Sequence, residues 1–271
     1  MKAAGIRLHL SLMALAVGFL TRLPVPSVRP FDSALLARSA LYFPLVGVLV
    51  GAINVLAWRL AAIWVPDGLA VGIAMGASLL ATGAFHEDGF ADACDGFGGG
   101  MSRERILEIM KDSRIGAYGA IGIFMMLGLK WATLAALPTA SFALLVVLAH
   151  MLSRLCACGL IAALRYVRDG HSKAKLVADA LGPLRWIASG VIGSAAIAAW
   201  LSLAQAWPGP AERRALAAGV VAAGIATAAA ALYFRRRIGG YTGDCLGAVQ
   251  QTSELGFLVA ALGALRAAAA G

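Results

Sequence analysis

Long apolar stretches separated by short polar connections dominate this chain, and their lengths indicate helices that cross a membrane. A span needs about 20 mostly apolar residues. The composition agrees, with 61% apolar and 14% charged residues, whereas soluble domains average about 45–50% and 25%. We therefore predict an all-α, polytopic integral membrane helix bundle, a single domain over residues 1–271 with about seven or eight transmembrane helices. The apolar stretches are residues 8–23, 40–65, 69–85, 116–137, 140–164, 184–207, 215–234 and 255–270.

The basic residues orient these stretches. The first stretch is short and no small-residue cleavage site follows it, so we interpret it as a retained span or a helix in the membrane interface. Alternate connections carry the lysines and arginines, which places those connections in the cytoplasm by the positive-inside rule. Three polar segments then share the cytoplasmic side, where we expect the active site. They are residues 86–100, 165–185 and 235–253.

The net charge of +9 follows from this topology. No basic run interleaved with aromatic residues is present beyond residues 235–237, so we exclude nucleic-acid binding. The four cysteines form no CxxC motif, which indicates reduced, structural thiols.

The segment of residues 86–100 concentrates acidic groups in an otherwise apolar chain. On a helix, Asp88, Asp92 and Asp95 fall within an arc of roughly 60°, and Glu87 lies about 100° to the side. Carboxylates that close repel one another unless a cation lies among them, and hard oxygen ligands suit Mg²⁺. The alternative is a solvated acidic turn, which the apolar surroundings disfavour. His86 adjoins the carboxylates as a candidate base or ligand, more readily as a residue that supports the ligands.

A glycine-rich segment, residues 239–247, is the second informative stretch. Gly240, Thr242 and Gly243 would let the backbone approach a phosphate closely, with its N–H groups directed at the anion. Asp244 is an isolated acid that could join the metal site. A flexible loop between two helices is the alternative interpretation of the same glycines.

Cations of two kinds accompany these segments. Lys111 and Arg114 could bind the oxygens of a diphosphate bridged by Mg²⁺, or could anchor the start of the next span. Arg154 lies near the middle of its span, one turn after His150, so it should form either a buried ion pair or a contact with an anionic substrate. Lys130 lies closer to a helix end, and we expect it to extend to the interface.

No Ser-His-Asp arrangement, Walker loop or Rossmann fingerprint is present. The chemistry on offer is carboxylate, metal and basic side chains on one side of a membrane. That set suits group transfer at a phosphoanhydride, in which a metal neutralises the leaving phosphate.

Several motifs together resemble the cobalamin synthase family. Phe90 stands where members often have leucine, and Gln250 and Gln251 stand where members often have an acid. That second departure leaves open whether anything in that segment beyond Asp244 binds metal. The matching motifs occur in order along nearly the whole chain, at residues 19–24, 43–47, 86–96, 109–116 and 240–248.

The resemblance implies adenosylcobinamide-GDP ribazoletransferase activity, Mg²⁺-dependent, in the bacterial inner (cytoplasmic) membrane as a multi-pass protein. The substrates would be adenosylcobinamide-GDP and α-ribazole or its 5′-phosphate. The base would be His86 or a carboxylate. Whether the protein forms a homo-oligomer or a complex with other cobalamin-assembly enzymes stays open. In this scheme Mg²⁺ would be held by Asp88, Asp92 and Asp95, with Glu87 and Asp244 as additional ligands, and the diphosphate by Lys111 and Arg114.

Two other functions fit parts of the pattern. A membrane phosphotransferase of the CDP-alcohol type also uses clustered aspartates, but Asp95-Gly96 is followed here by Phe97 and three glycines instead of the expected Ala-Arg. A cation transporter would carry its acids at mid-depth in the spans, whereas these acids follow the end of one. The phosphoanhydride reaction therefore explains more of the sequence.

Overall fold

The structure, a computed structural model, describes residues 2–26, 33–168 and 181–270. Lys173 and Lys175, which contribute to one of the predicted basic connections, lie outside the described residues. The described residues contain helices and no β-strand, which confirms the predicted all-α class. The helices are α1 (Lys2–Leu20), α2 (Ser33–Ser39), α3 (Phe43–Ala61), α4 (Asp67–Thr82), α5 (Phe85–Gly99), α6 (Arg103–Ile109), α7 (Ala117–Ala135), α8 (Thr139–Ala163), α9 (Pro183–Ala204), α10 (Pro210–Ile238) and α11 (Gly243–Ala270), with a 3-10 turn at Ala40–Tyr42.

Six helical segments of the described chain are long and apolar enough to cross a membrane, and the chain is a multi-pass membrane protein. A seventh span results if α4 and α5 are counted together, although they meet at 89°. The predicted span at residues 69–85 is thus a shorter helix that continues into the acidic helix. The first apolar stretch forms the shorter apolar helix Gly5–Leu20.

Two boundaries near the C-terminus differ from expectation. Residues 235–237 form the last turn of α10 instead of opening a loop, and α11 begins at Gly243, well before the predicted span. Arginine and alanine are good helix formers, which extends α10. Gly239 ends it with φ of 79°, a conformation that glycine adopts without strain. The glycine-rich loop is therefore confined to a few residues.

The helix α8 forms the centre of the bundle. In its most apolar stretch 67% of the residues are buried, against 17–44% in the other five spanning segments. It packs against α3, and there Trp58 stacks on Phe142 with ring centroids 4.2 Å apart. The helix α11 packs against α5, α7, α8 and α10, so it joins the acidic helix to the bundle core.

A sharp bend between α4 and α5 determines the direction of α5, which is the acidic helix. Gly83 and Ala84 both adopt left-handed conformations, with φ of 65° and 55°. For alanine this costs roughly 1–2 kcal/mol, because its Cβ crowds the following carbonyl. The two residues turn the chain through 89°, so α5 runs almost perpendicular to α4. The polar side chains of α5 therefore do not continue along the axis of the apolar helix.

Candidate active site

Helices α5 and α11 cross at two glycines. A Cβ atom on Gly89 would lie 3.1 Å from the Cα of Asp244, and one on Gly247 would lie 2.7 Å from the carbonyl oxygen of His86. Any larger side chain at Gly247 would push the helices apart. The glycines therefore bring Asp244, at the start of α11, to the polar part of α5, as the sequence analysis expected.

The carboxylates of Asp88, Asp92 and Asp244 form what we call the acidic site. Asp88 is exposed and Asp92 half-buried, and repulsion from both Asp244 and Asp88 acts on Asp92. Within the described part of the chain, Asp88 and Asp92 have no side-chain hydrogen bond or ion pair. Like charges left together without partners are unfavourable in the protein alone and favourable around a cation.

Asp95 has a different environment from the other two aspartates on its helix. It is buried, with 7% of its surface exposed. Its Oδ2 accepts a hydrogen bond from the amide of Gly116 at 2.7 Å, and its Oδ1 accepts one from the amide of Gly119 at 2.8 Å. These amides belong to the first turn of α7, where backbone donors lack partners inside the helix. Asp95 thus fixes α7 against α5, a contact that the spacing did not predict.

Glu87 joins a polar group inside the bundle. Its Oε1 accepts a hydrogen bond of 2.7 Å from the side-chain amide of Gln251. Its Oε2 is buried and has no hydrogen-bond partner. Glu87 therefore faces the bundle interior, whereas the acidic site includes the neighbouring Asp88.

We call the polar group inside the bundle the buried network. Glu254, 2% exposed, pairs with Lys130 at 2.9 Å and lies 3.5 Å from Arg154. Arg154 thus has the buried ion pair that was one of its two expected roles. The expectation for Lys130 was wrong, because it is 6% exposed and points to Glu254 instead of the interface. The network comprises Lys130, His150, Arg154, Gln250, Gln251 and Glu254.

The cations near the acidic site divide into paired and unpaired ones. Arg114 forms an exposed pair with Asp112 at 2.6 Å, and its hydrogen bonds lower the pKa of Asp112 to about 2. Lys111 is exposed and has no partner among the described residues. Arg168 donates hydrogen bonds to Asp244 at 2.5 Å and to the carbonyl of Met110 at 3.0 Å. Sequence analysis assigned no individual role to Arg168, although its segment was expected on the same side as Asp244.

The glycine-rich loop is held by backbone contacts. The amide of Val167 bonds to the carbonyl of Tyr241 at 3.0 Å, and the amide of Tyr241 to the carbonyl of Arg165 at 3.0 Å. Gly240 permits this approach, since a Cβ there would meet Val167 at 2.5 Å. Gly240 is therefore used for chain packing, and the alternative of a flexible loop does not describe it.

The remaining two residues of the expected phosphate cradle begin α11. The hydroxyl of Thr242 accepts a hydrogen bond from the amide of Cys245 at 3.3 Å and so caps the helix. Gly243 is the first residue of α11. His86 is buried at 5% exposure, lies edge-on to Phe85, and has no side-chain hydrogen bond within the described chain.

The polar segments that charge counts placed on one side do meet. Arg168 links the segment after α8 to the start of α11 and to the end of α6. Arg103 donates to the carbonyl of Ile238 at 3.0 Å, and Arg237 to that of Gly100 at 2.8 Å. Across the described ranges, no three His, Cys, Asp or Glu side chains are grouped closely enough to hold a metal ion by themselves.

Comparison with known proteins identifies the family. The profile of the family described as cobalamin-5-phosphate synthase matches residues 12–262. A relative from Ralstonia pickettii (strain 12J) is 45% identical, covering 93% of this chain and 94% of its own length. One from Ralstonia nicotianae is 46% identical, covering 89% and 90%, and one from Shewanella frigidimarina is 43% identical, covering 91% and 92%.

All three relatives are named adenosylcobinamide-GDP ribazoletransferase. No solved structure matches the chain. The profile covers nearly the whole bundle, including both helices of the acidic site. The chain therefore belongs to the cobalamin-5-phosphate synthase family, and it is a membrane-embedded transferase of cobalamin synthesis.

Proposed function

We propose that this chain transfers α-ribazole, or its 5′-phosphate, to adenosylcobinamide-GDP. The oxygen of the ribose 3′-hydroxyl, which is free in both α-ribazole and its 5′-phosphate, forms a bond to the β-phosphorus, which is the one esterified to the cobinamide. The bond from that phosphorus to the oxygen bridging it to the α-phosphorus breaks, and GMP leaves with that oxygen. The hydroxyl proton passes to a carboxylate. The products are adenosylcobalamin and GMP, or adenosylcobalamin 5′-phosphate and GMP when the phosphate is the substrate.

The observation that carries the proposal is the pair of unpartnered carboxylates, Asp88 and Asp92, beside Asp244 and Arg168. Such a group has little structural use, because it destabilises the protein when empty. It has a direct use in diphosphate chemistry, where negative charge on carboxylates and phosphate is bridged by a cation. Membership of the family, together with this site at the end of helices instead of mid-depth, argues against the transporter and the CDP-alcohol enzyme.

The side chains fit Mg²⁺. Asp88 and Asp92 lie one turn apart with oxygens that no described residue contacts, and Asp244 adjoins them. One or two carboxylates are typical of Mg²⁺ sites that complete their shell with water and substrate phosphate. Bound there, the ion would neutralise charge on the leaving phosphate. Asp95 contributes by holding α7 in place, and Glu87 by its bond inside the bundle.

The chain's own groups do the rest. Lys111 and Arg168 bind phosphate oxygens, and Arg114 reaches them after exchange from Asp112. A carboxylate oxygen of the acidic site accepts the proton of the attacking 3′-hydroxyl. His86, the other base considered, projects about 160° away from Asp88 on the helix. We place the protein in the bacterial inner membrane with the acidic site in the cytoplasm, where the basic connections of the sequence favour it.

The test uses the full chain purified into lipid nanodiscs with both substrates and Mg²⁺. We expect GMP and a cobalamin to form in equal amounts, and no product without Mg²⁺. In Asp244→Asn we expect the Mg²⁺ concentration for half-maximal rate to rise about tenfold or more, as for loss of a group that supports a metal site. An Asp244→Asn titration that overlays the wild type would remove Asp244 from the site, and GMP release without Mg²⁺ would refute the metal role.

A further inference from the structure

A pocket lies beside the first turn of α5. It has a volume of about 50 Å³ and extends between α1, α3, α5, α8 and the first turns of α11. Its wall includes Gly243, which precedes Asp244, and His86, which precedes Glu87. A ligand held in this pocket would therefore have one end within a residue or two of the acidic site.

The wall of this pocket is mainly aromatic and aliphatic. Phe19 stacks on Phe43 with ring centroids 5.6 Å apart, and it meets Phe85 edge-on at 5.7 Å. Ile161 and Leu246 complete the apolar wall. A small pocket lined by rings, with few polar groups, suits a flat apolar ligand.

Two polar side chains interrupt the apolar wall. Arg154 lines the pocket, and its Nε is buried without a hydrogen-bond partner, although its Nη1 binds the network around Glu254. His86 also lines it and has no hydrogen bond within the described chain. A buried donor without a partner costs about 1–3 kcal/mol. The Nε atom of Arg154 has almost no accessible surface, so His86 is the side chain of this wall that can offer a donor to a ligand with an acceptor.

We propose that this pocket binds the benzimidazole base of α-ribazole, an inference that rests on the proposed function. In α-ribazole the base is a flat bicycle with two methyl groups. One ring nitrogen carries the ribose, and the other is an acceptor with no hydrogen. The base therefore has one polar atom, which takes the hydrogen bond from His86, and the ribose extends past Gly243 towards the acidic site.

The same chemistry excludes guanine, the nucleobase of the donor substrate, from this pocket. Guanine has several donors and acceptors on its edges, and most of them would be buried without partners against Phe19, Phe43 and Phe85. Leaving polar groups unpaired on burial lowers affinity strongly. The aromatic pocket thus distinguishes the acceptor nucleoside from the guanosine of the donor substrate.

The first test measures binding of the free base, 5,6-dimethylbenzimidazole, to the full chain in nanodiscs, without Mg²⁺ or donor substrate. We expect saturable binding. Unsubstituted benzimidazole should bind at least about tenfold more weakly, because it lacks two methyl groups in an apolar site. 5,6-Dimethylindole, equally apolar but without an acceptor nitrogen, should also bind about tenfold more weakly. Equal binding of the three compounds, or no binding of the first, would overturn the proposal.

The second test fills the pocket. Ala157 lines it on α8, and Ala157→Phe should weaken binding of the base at least about tenfold and raise the KM for α-ribazole by a similar factor, with the KM for adenosylcobinamide-GDP unchanged. The matched control is Ala195→Phe, which adds the same ring to a separate groove between α8 and α9 and should change neither. If Ala157→Phe does not fold, the three-compound series on the wild type decides.

These outcomes separate the two proposals. A wild type that transfers ribazole, with a normal KM for it in folded Ala157→Phe, would refute the pocket assignment and leave the reaction intact. A wild type that binds the free base but releases no GMP from adenosylcobinamide-GDP would refute the reaction. Occupation of the pocket by a lipid chain that the base does not displace would also refute the assignment.

Discussion

Two carboxylates of the acidic site, Asp88 and Asp92, and the carboxylate of Glu254 in the buried network are in opposite states. In the network, Glu254 has two cations within 3.5 Å and accepts further hydrogen bonds from Ser153 and Gln250. In the acidic site, Asp88 and Asp92 have none from the described residues. The network is deep in the bundle, and the acidic site is at its edge.

The difference indicates what each group is for. A charge buried in a membrane protein must be paired, because leaving it unpaired costs several kcal/mol. The paired charges of the buried network therefore need no role beyond stabilising the fold. Carboxylates placed together at a partly exposed edge and left unpaired do not help folding, and the proposed Mg²⁺ and diphosphate would supply their missing partners. Three experiments test this contrast between paired and unpaired charges.

The largest effect should come from Glu254→Gln. It leaves Lys130 and Arg154 buried without their acid, which should lower the free energy of unfolding by about 3–5 kcal/mol. Chemical denaturation in detergent measures this. The control is Glu108→Gln, which breaks an exposed pair with Arg105 of 2.8 Å and should change stability by less than about 0.5 kcal/mol. Equal effects in the two variants would contradict the structural role of the network.

Asp92→Asn should show the reverse behaviour. It removes a charge that Asp88 and Asp244 repel, so we expect unchanged or increased stability, and transfer activity reduced at least about 100-fold. GMP release and the unfolding midpoint are measured on the same preparation. Asp67→Asn is the control, since it removes an exposed aspartate at the start of α4, outside the acidic site, and should retain activity. A destabilised but active Asp92→Asn would mean that this carboxylate is structural.

The smallest effect distinguishes the two cations after α6. Lys111→Gln should raise the KM for adenosylcobinamide-GDP about tenfold, because an unpaired cation is lost from the diphosphate. Arg114→Gln should raise it less than about threefold, since Arg114 must first leave Asp112 and exposed pairs contribute little. Steady-state kinetics with the donor varied gives both values. A larger effect of Arg114→Gln would reverse these assignments.

Sequence reasoning succeeded where periodicity and charge decide the outcome. The spacing of Asp88 and Asp92 predicted a shared helix face, and the basic connections predicted which segments meet. Sequence reasoning failed where a partner on another helix determines the environment of a side chain. Asp95 shares that spacing, but the amides of Gly116 and Gly119 engage it, and no local pattern specifies which backbone amides will be near.

Glu254 was missed for a physical reason of a different kind. Gln250, Gln251 and Ser253 lower the local hydropathy, so the predicted span begins at residue 255 and excludes this acid. Lys130 was judged by its distance from a helix end, although tertiary packing determines its exposure. The available signal was an acid, Glu254, next to one apolar stretch and a cation, Lys130, within another, because two such charges can pair inside a membrane.

The pairing of Lys130 with Glu254 also constrains how the protein is made. Ribosomes deliver α7 to the membrane long before α11, and a lysine on an inserting helix costs about 2.5–3.5 kcal/mol at the centre of the bilayer. Until Glu254 emerges, α7 carries that charge without its partner. The final packing of α7 therefore waits for α11, and since Asp95 joins α7 to α5, the acidic helix reaches its working position only when nearly the whole chain has been synthesised.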